Sequence, residues 1–246
     1  MKIEFRSVGC ASPTDLSRNV AYAHSLGLTM TTLAEAPRSP VAVIGGAPSV
    51  IDAVDELRSF AGERWIIGSA FPWATDAGID GTFFCIDPEE IIAPMCRGAK
   101  RALLATCVHP SVLDGLLEDG CEIELFDIGW ESVPTGSTTA TGAPYLSLLR
   151  GHPKAFFYGC DSSFAERTHA YKMLEEEFLL LVKCGDGEYL TNPQMMIQAE
   201  ELSTVLLGYP EIYVNKSTGL LRAMVENNGE WDVLKVSRAL NERLSG

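Results

Sequence analysis

The chain is poor in positive charge: 19 Lys and Arg stand against 33 Asp and Glu over 246 residues, a formal net charge of −14. A surface that neutralises a nucleic-acid backbone needs a basic stripe, and no run supplies one, so nucleic acid is excluded as a partner. A small anion is not excluded, because backbone N–H groups and a bound metal ion can hold phosphate on an acidic protein. Long apolar runs are also missing. No stretch would span a bilayer, and MKIEFRSVGC at the start has no apolar core of a signal segment, which predicts no membrane partner and a cytoplasmic location. The seven cysteines, at 10, 85, 96, 107, 121, 160 and 184, form no C-x-x-C pair. Their scatter predicts a reducing compartment and no structural zinc. Neither G-x-S-x-G nor H-E-x-x-H occurs, so nucleophilic hydrolysis and zinc chemistry have no support.

What the sequence does contain is ordinary globular composition, 46% hydrophobic and 21% charged. That is enough for one large core and a single domain over 1–246. Residues 13–27 read as an N-terminal helix stopped at Gly27. VAVIGG at 41–46 is a short β-branched run with no polar side chain, the pattern of a strand buried on both faces. A helix is predicted from Pro48 to Phe60. RWIIGS, TFFCID, RALLAT, EIELFD and KAFFYGCD supply further strands, with helices near 110–118 and 136–150. Strands alternating with helices predict a Rossmann-like α/β sandwich with a mostly parallel sheet. After this core (40–225), 176–191 reads as a hairpin turning at Gly185-Asp186-Gly187. Residues 192–208 read as an amphipathic helix, 211–215 as a strand, and 231–244 as a closing helix.

Chemistry is expected where parallel strands end. The turn Gly45-Gly46-Ala47-Pro48-Ser49 follows a buried strand and opens a helix, so small residues would let a phosphate approach bare amides. It is neither G-x-G-x-x-G nor a Walker A loop, and a turn that merely packs is an equal reading. Gly68-Ser69, Asp87-Pro88 and Gly159-Cys160-Asp161 end other strands on the same edge. Asp87 and Asp161 are of the type that ligates Mg²⁺ or receives a ribose hydroxyl, although Asp87 also suits a helix cap. Gly136-Ser137-Thr138 opens a further helix as a second anion contact or a plain cap. His169, in a polar stretch after Asp161, is the histidine best placed for acid/base work.

VAVIGGAPSV, CIDP, GSTTATGAPYLSLLRG, FFYGCDSSFAERTHAY and GEYLTNPQMMIQAEEL occur in an order that resembles the 6-hydroxymethylpterin diphosphokinase-like (MptE-like) family, over about residues 40–225. The resemblance implies a Rossmann-like fold related to that of bacterial sialyltransferases. It implies a transferase using ATP or another nucleotide with Mg²⁺ and a small-molecule acceptor. By position, Gly45–Ser49 and Gly136–Thr138 would surround phosphate, Asp87 and Asp161 would hold metal or ribose, and His169 would line the acceptor side. Two alternatives stand beside it: a CMP- or UDP-sugar glycosyltransferase in which His169 or Tyr171 acts as acid/base, and a non-catalytic nucleotide-binding module.

Overall fold

A computed structural model describes residues 11–128, 136–164 and 178–238. In chain order its elements are α1 (Pro13–Ser25), β1 (Thr29–Met30), β2 (Val41–Ile44), α2 (Val54–Arg58), β3 (Glu63–Ile67), α3 (Phe71–Asp76), β4 (Thr82–Cys85), β5 (Arg101–Ala105), α4 (Pro110–Glu118) and β6 (Glu122–Phe126). They continue with α5 (Thr139–Leu149), β7 (Ala155–Tyr158), β8 (Phe178–Cys184), β9 (Gly187–Thr191), α6 (Pro193–Gly208), β10 (Tyr213–Asn215), α7 (Gly219–Glu226) and β11 (Asp232–Arg238).

The expected α/β layout is present: eight strands form one parallel sheet in the order β1-β6-β5-β4-β3-β2-β7-β10. The period-2 alternation of side chains explains why its strands are apolar throughout. Along β2, Ala42 and Ile44 enter one core with Ile66, Phe83 and Leu104. Val41 and Val43 enter the opposite one with Trp65, Phe84, Phe126 and Phe157. Helices cover both faces, so neither row meets water.

The C-terminal part departs from the expectation in one respect. The hairpin β8–β9 and helix α6 form as predicted, but 232–238 is a strand, not the start of a helix, and it pairs antiparallel with β8. Asn228 (φ 53°) and Gly229 (φ 77°) take left-handed conformations that end α7 and turn the chain back along β8. The open ladder of β8 then outweighs local helix propensity in a segment containing β-branched Val233 and Val236. A third core, with Leu180, Val182, Met196, Leu220 and Met224, joins this small sheet to α6 and α7. Other differences are local. The helix expected from Pro48 begins as a 3-10 turn (Pro48–Ala53), and β1, α3 and α7 carry too few residues for periodicity to reveal them.

At the amino edge of the sheet, His152 is fully enclosed and stands edge-on to Trp65. Its Nδ1 lies 2.6 Å from the Ser39 carbonyl and so carries the proton, while Nε2 has no hydrogen-bond partner. Burial lowers its pKa from 6.5 against the opposing pull of Ser39 and Glu63. A base whose folded pKa is depressed leaves the unfolded chain holding more protons below pH 6.5, so stability falls as the pH drops from 6.5 to the folded value. Urea melts between pH 7 and 5 should therefore show a slope that His152→Gln reduces by up to about 1.4 kcal/mol per pH unit. An unchanged slope would place the proton elsewhere.

Candidate functional site

From β2 the chain winds outward through β3, β4, β5 and β6, then returns to lay β7 on the other side of β2. The loops leaving β2 and β7 therefore diverge, and a crevice opens at that reversal of strand order. A cleft of about 440 Å³ occupies this place over the carboxyl ends of the strands. Two glycines set its floor. A Cβ on Gly45 would lie 2.4 Å from the Gly159 carbonyl oxygen, and one on Gly159 (φ +60°) 2.4 Å from the Gly45 oxygen. Each strand end needs the other to be bare. Gly46 is different, since a Cβ there would meet only Ser69 and Ala70 at ordinary contact distances of 3.7 Å or more.

The amides of the first turn are largely committed to protein. Gly45 and Ala47 donate to the Tyr158 and Gly159 carbonyls, and Ser49 N–H donates to Asp161 at 3.2 Å. Pro48 has no N–H. The expectation of a bare-amide cradle over Gly45–Ser49 is thus corrected: among these residues Gly46 alone keeps an N–H with no acceptor in the described structure. At Gly136–Thr138 the outcome is similar. Ser137 N–H donates to Glu201 at 2.8 Å, and Thr138 N–H donates to Thr141, closing a capping box. The unclaimed donors of α5 sit one residue further on, at Thr139 and Ala140, and both residues line the cleft.

The structure gives the two aspartates different surroundings. Asp161 is buried, and its carboxylate accepts from Ser49 N–H, Ser49 Oγ and Thr218 N–H, tying the β2 loop to the start of α7. Both its oxygens are in use, so metal or substrate would have to displace those donors. Asp87 is half-buried in the cleft wall. Its Oδ1 accepts Glu89 N–H at 2.9 Å, its Oδ2 has no hydrogen-bond partner among the described residues, and desolvation raises its pKa. Mg²⁺ commonly takes one or two carboxylates and completes its shell with water and substrate phosphate, a pattern Asp87 fits by itself. Among the described residues no three His, Cys, Asp or Glu side chains gather into a metal cluster.

Of the residues singled out from sequence, the cleft brings together Gly45, Gly46, Ala47, Ser69, Asp87, Gly136, Ser137, Thr138 and Asp161. Pro48, Ser49 and Gly68 do not line it: the first two turn away into the 3-10 segment, and Gly68 is buried near Cys85 and Ile92. His169, with Arg167, Tyr171 and Lys172, lies outside the described residues.

Several site residues were not foreseen. Asn19 on α1 is buried and donates to the Cys107 carbonyl at 3.0 Å and the Pro88 carbonyl at 3.4 Å, clamping two strand-end loops while Leu16 forms part of the wall. Gln198 on α6 accepts from Thr138 Oγ1 and donates to Ser162 Oγ, both at 2.9 Å, bridging α5 to the β7 loop. Ser162 itself holds φ 56°, a conformation uncommon for a residue with a side chain. A polar Asn on a helix face that buries apolar neighbours was the one available signal for Asn19; Gln198 had none.

No protein-family model matches the chain, and no curated protein does. Among solved structures it is similar to the MAf glycosyltransferase from Magnetospirillum magneticum AMB-1, with a TM-score of 0.62 and 15% identity. The likeness covers 87% of this chain and 38% of that one, so the chain spans well under half the length of the protein it matches. At this identity the likeness is one of fold: a Rossmann-like arrangement that also serves a transferase. No helix among the described residues is long and apolar enough to cross a membrane.

Proposed function

We propose that this chain is a nucleotide-dependent transferase that seats its nucleotide donor over the carboxyl ends of β2 and β7. The observation that carries the reading is the cleft at the reversal of strand order, where Gly46, Thr139 and Ala140 leave N–H groups without protein acceptors. Such groups, two of them on the first turn of an eleven-residue helix, suit a phosphate. The donor we favour is a nucleotide-linked sugar. No Lys or Arg lines the cleft among the described residues, and the one phosphate of a CMP-linked sugar or the two of a UDP-linked sugar bring less charge than a triphosphate. The fold it shares with a glycosyltransferase supports the same choice.

A second reading rests on Asp87. Its Oδ2, unpartnered among the described residues, would hold Mg²⁺, which would neutralise the phosphates of ATP and let diphosphate pass to a small alcohol. In either case the chain's own groups work by position: the N–H donors fix the phosphate, Asn19 fixes the Asp87-Pro88 loop, and Gln198 fixes the Ser162 loop.

Thermal melts with CMP- and UDP-sugars and with ATP, each with Mg²⁺ or EDTA, separate these readings. A ligand at a hundred times its Kd adds about 2.7 kcal/mol to stability. A sugar-nucleotide shift that survives EDTA supports the first reading, and an ATP shift that needs Mg²⁺ supports the second. No shift with any of these nucleotides sinks both. Gly46→Ala is the companion test. Its methyl meets no close atom, so the melting temperature without ligand should hold while the nucleotide-induced shift is largely lost.

A further inference from the structure

The start of α5 already holds a negative charge of the protein's own. Glu201 on α6 accepts at Oε2 from Ser137 N–H at 2.8 Å and from Ser137 Oγ at 2.9 Å. Gly136 makes room for it, since a Cβ there would lie 2.5 Å from that oxygen. Gln198, one turn earlier on α6, accepts from Thr138 Oγ1 at 2.9 Å, so the two side chains pin the residues that lead into the helix. Among the described residues no Lys or Arg pairs with Glu201. Thr139 and Ala140 follow directly and line the cleft. A carboxylate at the positive end of a helix stabilises it, and it opposes any second anion that comes there.

That opposition grows with the charge of the ligand. When a nucleotide-linked sugar passes to an alcohol, the acceptor oxygen bonds to the anomeric carbon and the bond from that carbon to phosphate oxygen breaks. The electron pair stays on the phosphate, and the acceptor's proton goes to water. The phosphate end freed in this way ionises a second time near a pH of about 6, so at neutral pH the product carries about one more negative charge than the donor did. Given the proposed nucleotide-sugar donor, on which this role depends, we infer that Glu201 is a specificity-determining residue: its carboxylate at the start of α5 disfavours the spent nucleotide more than the sugar-linked donor, and so favours product release. Asp87 and Asp161 line the same cleft, but Glu201 is the acid bonded directly to the residues that open α5.

Calorimetric binding to the full chain in EDTA tests this with four probes: UDP-glucose, UDP, CMP and CTP. Glu201→Gln keeps an oxygen for the Ser137 N–H and hydroxyl but removes the charge. It should tighten UDP about threefold or more beyond any change for UDP-glucose, and tighten CTP more than CMP. Glu201→Asp keeps the charge on a shorter arm and should hold both ratios near those of the unmodified chain. Glu201→Ala also removes the charge, and it reads the same ratios should Glu201→Gln fail to fold. A merely loosened site would weaken all four ligands together, whereas loss of a repelling charge tightens them in order of their own charge. Unchanged ratios in the uncharged variants, uniform weakening, or a Glu201→Asp chain relaxed as far as Glu201→Gln would remove this role and leave the donor reading standing. If none of the four binds the unmodified chain or the variants, the donor reading falls and the role of Glu201 falls with it.

Discussion

Gly159→Ala is expected to destabilise the protein by about 4 kcal/mol in urea melts, combining a left-handed backbone with overpacking. The left-handed φ of +60° is one part, and the 2.4 Å approach of a Cβ to the Gly45 oxygen, with Val50 Cβ at 2.9 Å, is the other. Two controls divide the sum. Gly27 has φ +62° with nothing within 4 Å, so Gly27→Ala isolates the backbone strain at about 1 kcal/mol. Gly45 has an ordinary φ but a Cβ would meet the Gly159 oxygen at 2.4 Å, so Gly45→Ala isolates the close approach. Should Gly159→Ala cost no more than Gly27→Ala, the two strand ends are not in contact. The floor of the cleft would then need another account.

The same glycines show how far the sequence could be read. VAVI, RWII, TFFC, RALLA and AFFY declare strands because a parallel sheet covered on both faces needs apolar residues in both rows, and that requirement is local. The expectation of a candidate site at the carboxyl edge, where the structure has its cleft, followed from that alternation. The partner of each strand-end group did not. Gly45 looks like a glycine kept bare for a ligand, but its reason lies in Gly159, more than a hundred residues along the chain. Asn19 and Gln198 act through contacts of the same long range. β11 was missed for a related reason: the waiting edge of β8 decides the conformation of 232–238, and no window confined to that segment contains it.

Asp161→Ala separates a structural carboxylate from a catalytic one, and the structural outcome is the one expected. Removing it leaves Ser49 N–H, Thr218 N–H and the Ser49 hydroxyl without their acceptor in a region where Asp161 is 4% exposed. At about 1–3 kcal/mol per stranded donor, with partial relief from water entering the cleft, a loss of about 4 kcal/mol is expected. A carboxylate held mainly for catalysis behaves oppositely, since replacing it commonly leaves stability unchanged or raised. Ser49→Ala supplies the cross-check. If the hydroxyl–carboxylate bond is real, the double variant should be less destabilised than the sum of the singles, by at least about 0.5 kcal/mol. Asp87→Asn completes the contrast: with only the Glu89 N–H bound to one oxygen, it should leave the melting temperature nearly unchanged. Under the magnesium reading it should also abolish the metal-dependent part of any nucleotide shift. A chain in which Asp161→Ala melts normally while Asp87→Asn unfolds would reverse these roles, and with them the assignment of which acid faces the ligand.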